Sequence, residues 1–275
     1  MKIHTFPSTG ARNRLARIAK RNREFRAKDV NAVKKILAEV RNKGDEALIA
    51  YINRFDAPDL QAASIQVSKA EIDQARRRVD RAFLKTLRKA IRQIEGFHRR
   101  QLRNSWFTTG TDGTLLGQLI RPVDAAGIYV PGGSGGETPL ISSVLMGCIP
   151  AKIAGVKKIC LTTPPTREGS VNPYLLVTAQ RLGVEMIYKA GSAWAIAAMA
   201  YGTETVGKAD VIVGPGNIYV TLAKKLVSGT VGIDMLAGPS EILIIADDHV
   251  VDFDGTFSFE GLVINQGTAD WQDAG

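Results

Sequence analysis

Residues 209–227 read ADVIVGPGNIYVTLAKKLV, and this stretch decides the fold class. Ala209 to Val213 is of strand length and apolar apart from Asp210, without polar alternation. A strand buried on both faces has that composition. Gly214-Pro215-Gly216-Asn217 then interrupts the run with turn-forming residues. A helix is predicted to follow, from Ile218 to about Val227. Strand, glycine-rich turn and helix in that order are the repeating element of an α/β domain.

The same order recurs towards the N-terminus. Leu115–Ile120 and Gly127–Val130 read as strands, the second running into the glycine-rich loop Pro131–Gly136. Residues 139–148 (PLISSVLMGC) read as a helix, and Pro150 marks the start of the next segment. Lys157–Thr162 is a buried strand, Asn172–Leu182 a helix, Val184–Tyr188 a strand and Ala193–Ala200 an apolar helix. Ile242–Ala246 adds one more strand. Residues 115–248 are therefore predicted to be an α/β region with a largely parallel, doubly covered sheet. No internal repeat of fixed period is present.

Residues 1–114 have a different period. Val30, Val33, Ile36, Leu37 and Val40 recur at three- and four-residue spacing and define one apolar stripe. Gly44 stands where a helix C-cap belongs, and Asp45 opens the next helix, whose stripe is carried by Ala47, Leu48 and Tyr51. Ser68 and Glu71 form a capping-box pattern ahead of the Arg76–Arg78 run. Phe83, Leu84, Leu87, Ile91, Ile94 and Phe97 line one face of a long helix whose other faces are basic. This segment is predicted to be mainly helical. Residues 249–275 form a third, acidic tail.

The chain has 275 residues, 45% of them hydrophobic, with a formal net charge of +9. Such a composition excludes a disordered, collagen-like or disulfide-scaffold protein. No apolar run is long enough to cross a membrane, and the N-terminus lacks the apolar core of a secretory signal. A soluble cytoplasmic protein is expected. Residues 1–121 carry 27 Lys and Arg against 12 Asp and Glu, whereas residues 122–275 carry 9 against 15. The basic part admits two readings, a nucleic-acid-binding surface or solvated faces of amphipathic helices. The basic residues fall at helical spacing and no aromatic residues interleave them, which favours solvated helices.

Three glycine-rich turns follow predicted strands: Pro131–Gly136, Gly191-Ser192 and Gly214–Asn217. Turns of this kind bring a ligand's phosphates close to backbone N–H groups at helix N-termini, and in an open parallel sheet they lie at the ligand-binding end. None fits G-x-G-x-x-G with a following acid, so a nucleotide site and simple tight turns both remain open. The three histidines, His4, His98 and His249, form no metal-binding motif. Cys148 and Cys160 are expected to be small core residues.

Longer blocks carry a specific resemblance. GIYVPGG (127–133), PAKIAG (150–155), AIAAMAYGTE (195–204), VGPGNIYVTLAKK (213–225) and IDMLAGPSEILIIAD (233–247) resemble histidinol dehydrogenase, as does the earlier VRNKGDEALIAYINRFD (40–56). The resemblance implies Rossmann-like α/β domains and oxidation of L-histidinol to L-histidine in two NAD-linked steps, completing histidine biosynthesis. It also implies a zinc-dependent, intertwined homodimer. Tyr129 and Asn217 match positions at which the family contacts NAD, and Ser240 matches a substrate-contacting serine. Each also has a structural reading: Tyr129 as sheet core, Asn217 as a turn residue, Ser240 as a cap. Trp194 stands where many members have an NAD-contacting glutamine; its ring could stack on the cofactor but cannot reproduce an amide's donor–acceptor pair.

A second departure concerns catalysis. Beyond IIAD the family continues into a helix with a Gln-x-x-His zinc pair, then a Glu-His pair for proton transfer and further ligands. Here Gln266 could match the family glutamine, but Ala269 then takes the histidine position, and no Glu-His pair follows. The expectation is a reading frame truncated or shifted near residue 249, with a short paralogue bearing a new tail as the alternative. Little or no turnover is expected from this chain by itself. The rival functions are a non-catalytic nucleotide-binding module and a basic nucleic-acid-binding protein.

Overall fold

The computed structural model describes residue 5, residues 7–19, 25–133 and 139–236, and the strand backbones of 243–246 and 262–265. Phe25–Ala237 form one compact unit, and Met1–Glu24 with Gly238–Gly275 form a second.

The larger unit begins with helices. α2 (Ala27–Lys43) buries Val33, Leu37 and Val40, the stripe read from the sequence. It ends at Gly44, whose φ of +56° suits glycine at a helix terminus. α3 (Asp45–Phe55) follows at once. α4 (Lys69–Arg78) opens on Ser68 and Glu71, which form the expected reciprocal capping box. α5 (Arg81–Arg99) is capped by Asp80, whose side chain accepts the Phe83 N–H.

Five parallel strands come next: β3 (Ala125–Tyr129), β4 (Lys158–Thr163), β5 (Met186–Lys189), β6 (Val211–Val213) and β7 (Gly232–Ile233). The intervening helices are α6 (Ile141–Ile153), α7 (Pro173–Arg181), α8 (Ser192–Tyr201) and α9 (Ile218–Val227). The strand order is β5-β4-β3-β6-β7. The chain builds outward from β3 through β4 to β5, then returns to the other side of β3 to lay down β6 and β7. The order therefore reverses between β3 and β6.

Alternate residues feed two cores. Ala126, Ile128, Val130, Ile159, Leu161 and Ile187 pack against α4, α5, α6 and α7. Tyr129, Cys160, Tyr188 and Ile212 pack on the opposite face against α2, α3, α8 and α9. With both faces covered, the strands are mostly apolar on both sides, apart from Thr162, Thr163 and Lys189 at their carboxyl ends, which is why no alternation is visible in the sequence. α8 is the extreme case. Ala193 to Ala200 are all buried, since α8 lies among α2, α3, α9 and the sheet.

Two features differ from the sequence reading. Pro150 does not begin a new segment; α6 runs through it to Ile153. Proline removes one helical hydrogen bond, but Val144, Leu145, Cys148 and Ile149 are buried against the sheet, and that packing outweighs the missing bond. β1 (Trp106–Thr109) was not visible in the pattern. It pairs antiparallel with β2 (Leu115–Gln118), from Trp106↔Gln118 to Thr109↔Leu115. Every residue of this hairpin is exposed.

In the smaller unit, α1 spans Thr9–Ala19. β8 (Leu243–Ala246) pairs in parallel with β9 (Leu262–Asn265). The acidic tail gave no sign of a strand at 262–265.

Candidate functional site

In an open parallel sheet, the crevice for a ligand lies beyond the carboxyl ends of the strands where the strand order reverses. Here that place is between β3 and β6. The turn after β3 begins Pro131-Gly132-Gly133, and the turn after β6 is Gly214–Asn217, leading into α9. Two of the three glycine-rich turns thus flank the reversal. The third, Gly191-Ser192, joins β5 to α8 and reaches the same place through Tyr129.

Asn217 is the N-cap of α9. Its Oδ1 accepts the Tyr219 N–H at 3.0 Å and the Val220 N–H at 3.1 Å. The structural reading of this residue therefore applies, yet capping employs only the amide oxygen. Its nitrogen keeps two N–H donors, and the whole residue is exposed at a helix N-terminus. Both Gly214 and Gly216 are needed for close packing. A Cβ on Gly214, at φ +129°, would overlap the Tyr129 carbonyl oxygen, and one on Gly216 would overlap Val220.

This turn is also clamped from behind. Lys224, three residues before the end of α9, is buried and donates from Nζ to the Gly214 carbonyl at 3.0 Å. The same Nζ pairs with Asp234, whose other carboxylate oxygen accepts the Gly214 N–H at 2.9 Å. Both polar groups of Gly214 are thereby held by one ion pair. Neither Lys224 nor Asp234 was singled out from the sequence. The signal was there: Lys224 shares a helix face with Val220 and Val227, both buried, and a charge on an apolar stripe needs a partner.

Tyr129 ends β3 and is only 4% exposed. Its hydroxyl accepts the Ser192 N–H at 3.1 Å, which leaves the phenolic proton to be donated. Burial pushes its pKa up to about 12, opposed by the Ser192 bond and assisted by the nearby Asp56 carboxylate. The phenol stays protonated at physiological pH. Ser192 itself has φ +46°, a region that costs a non-glycine residue energy.

Trp194 is 6% exposed and lies in the core. Its ring stacks on Tyr51 (5.8 Å, 9°) and Phe55 (5.4 Å, 18°). Its Nε1 donates to Asp56 Oδ2 at 3.1 Å. Ser240 lies outside the described residues, as do His4, His249 and Gln266. His98 sits on α5 and is bonded through Nδ1 to Gln101 at 2.7 Å.

The cysteines are core residues, as expected. Burial pushes the Cys148 thiol up to about 12 and that of Cys160 up to about 11, far from the thiolate a metal or an electrophile requires. Among the described residues no three His, Cys, Asp or Glu side chains cluster as a metal site would need. These residues do not fit zinc. They do fit a dinucleotide, through an exposed glycine-rich turn, a helix N-terminus, amide donors and a fixed phenol.

Comparison with known proteins agrees with this geometry. The histidinol dehydrogenase family model matches residues 19–252. The chain is 57% identical over 218 residues to histidinol dehydrogenase of Desulfotalea psychrophila, covering 79% of this chain and 50% of that protein. It is 54% identical over 217 residues to the enzyme of Oleidesulfovibrio alaskensis, with 79% and 50% covered. The crystal structure of histidinol dehydrogenase from Elizabethkingia anophelis superposes with a TM-score of 0.78 at 41% identity, covering 90% of this chain and 56% of that one. The chain spans about half the length of the curated relatives it matches. On this match and this fold, the chain belongs to the histidinol dehydrogenase family.

Proposed function

We propose that this chain supplies the NAD-binding part of an enzyme that oxidises L-histidinol to L-histidine in histidine biosynthesis. One observation carries the reading. Tyr129, at the end of one strand flanking the reversal of strand order, and Asn217, in the turn that follows the other, occupy positions matched to the family's NAD contacts. A bound NAD would supply the hydride acceptor that such an oxidation needs.

The chain's own residues bind and orient. The α9 N-terminus offers its positive dipole end to the pyrophosphate. Asn217 donates from its amide nitrogen while its oxygen holds the helix end. Tyr129, kept protonated by burial, gives a hydroxyl donor of fixed position. Lys224 and Asp234 hold the turn through both backbone polar groups of Gly214, so it need not reorganise on binding. Trp194 adds apolar wall; with its N–H engaged by Asp56, it does not replace the amide that many members have there. Ser240 is proposed as a contact to L-histidinol.

Zinc is assigned no residue of this chain. Working in a cytoplasmic homodimer also belongs to the proposal. No helix among the described residues is long and apolar enough to cross a membrane. The 275 residues contain no Glu-His pair for proton transfer, so binding without turnover is expected of them alone. Calorimetric titration with NAD is the test. Binding that is lost on Asn217→Ala supports the reading, and absence of binding removes it. NADH formation from histidinol that a chelator abolishes would overturn the expected lack of turnover.

A further inference from the structure

Behind the crevice, at the C-terminus of α3, a half-buried carboxylate meets the turn that holds Tyr129. Asp56 is the C-cap of α3. Its Oδ2 accepts the Trp194 indole N–H at 3.1 Å, and the carboxylate lies against Gly191, whose backbone N–H lowers its pKa. The fit is close: a Cβ on Gly191 would come within 3.2 Å of that Oδ2 and 2.8 Å of Pro164. The next residue, Ser192, holds φ +46° and donates its N–H to the Tyr129 hydroxyl. Asp56 and Tyr129 are thus linked through one turn, Gly191-Ser192, whose backbone is strained at its second residue.

We propose that Asp56 is a positioning residue for the cofactor: by holding Gly191 and Trp194 it fixes the Gly191-Ser192 turn, and the Ser192 N–H in turn fixes the Tyr129 hydroxyl. The inference rests on the crevice being an NAD site. Its physical basis is that this carboxylate is a poor choice for stability alone. Burial pushes its carboxyl up to about 6, and the bonds from Trp194 and Gly191 offset that only in part. Among the described residues no basic side chain forms an ion pair with it. A neutral side chain would fold at lower cost. What only the carboxylate provides is an acceptor oxygen for the Trp194 N–H and a second acceptor oxygen on the side of Gly191. An asparagine offers one, and turns its NH2 group towards the second donor.

The test is NAD titration calorimetry on the full chain and on Asp56→Asn, Tyr129→Phe and the double variant, with thermal melts of each. Asp56→Asn is expected to bind NAD about tenfold more weakly while melting no lower than the parent at neutral pH. A purely structural role would lower both together. In the Tyr129→Phe background the same change should cost nothing further, because the hydroxyl it positions is gone. Should Asp56→Asn not fold, Trp194→Phe makes a second comparison, since it leaves Asp56 in place, replaces the indole by a smaller aromatic ring and removes the N–H that Asp56 accepts. Losses that multiply in the double variant would overturn the inference, as would Asp56→Asn binding within about twofold of the parent. If the parent itself binds no NAD, the reading of the crevice falls and this inference with it. If the parent binds and Asp56→Asn binds equally, only the role of Asp56 falls.

Discussion

The parallel sheet and the β1–β2 hairpin belong to the same unit and use similar residues in opposite surroundings. Ile128, Leu161 and Ile187 lie side by side in register across β3, β4 and β5, each fully buried. In the hairpin, Trp106, Phe107, Leu115 and Leu116 are 54–65% exposed. A two-stranded ribbon has no second layer to cover it and is marginal by itself. The sheet is covered twice, by helices drawn from both sequence segments. Stability is therefore a property of the layers, and apolar composition alone does not predict it.

Substitutions can break or sharpen this contrast. The largest effect is expected at the carboxyl end of the sheet. Gly214→Val would combine a forbidden φ with overlap on the Tyr129 carbonyl, at a cost on the order of 3–5 kcal/mol, and should abolish NAD binding; chemical denaturation and calorimetry read both. Next comes Ile128→Ala, which empties the centre of the sheet and should cost about 3 kcal/mol. A loss below about 1 kcal/mol would mean that the two cores repack freely.

A third effect depends on pH and is confined to the sheet side. The Asp56 carboxyl is pushed up in the fold from 3.8 to about 6, so the folded chain holds its proton more tightly than the unfolded chain. Stability from this group is present at low pH and is lost as pH rises from about 4 to about 6. The loss is on the order of 2 kcal/mol. Other carboxylates titrate in the same range, so the quantity to measure is the difference between the parent and Asp56→Asn. That difference should shrink or reverse on acidification. The smallest effect belongs to the hairpin. Leu115→Ala should change stability by less than about 0.5 kcal/mol, and a larger loss would show that β2 is covered in solution.

Much of the fold was legible because the sheet's strands are continuous apolar runs and its turns are rich in glycine. Gly44, the Ser68–Glu71 capping box and the helix after Asn217 each have a local cause, so local pattern was enough to find them. Pro150 misled because a breaker rule ignores tertiary packing. β1 is short and wholly exposed, so no core face marks it, and β7 is shorter still and pairs with β6 across the whole of α9. Of the site, Tyr129 and Asn217 were visible through family motifs. Asp56, Lys224 and Asp234 were not, because each acts by touching a turn brought close only by folding.

α8 has a consequence for time as well as energy. From Ala193 to Ala200 it presents no face to solvent, and the turn that bonds Tyr129 is its first. A helix enclosed on all sides cannot fray without opening the layers around it. Its amides are expected to exchange with deuterium only when the whole unit unfolds, and to be the slowest in the chain. The side of the crevice anchored on α8 would then keep its shape for as long as the protein stays folded.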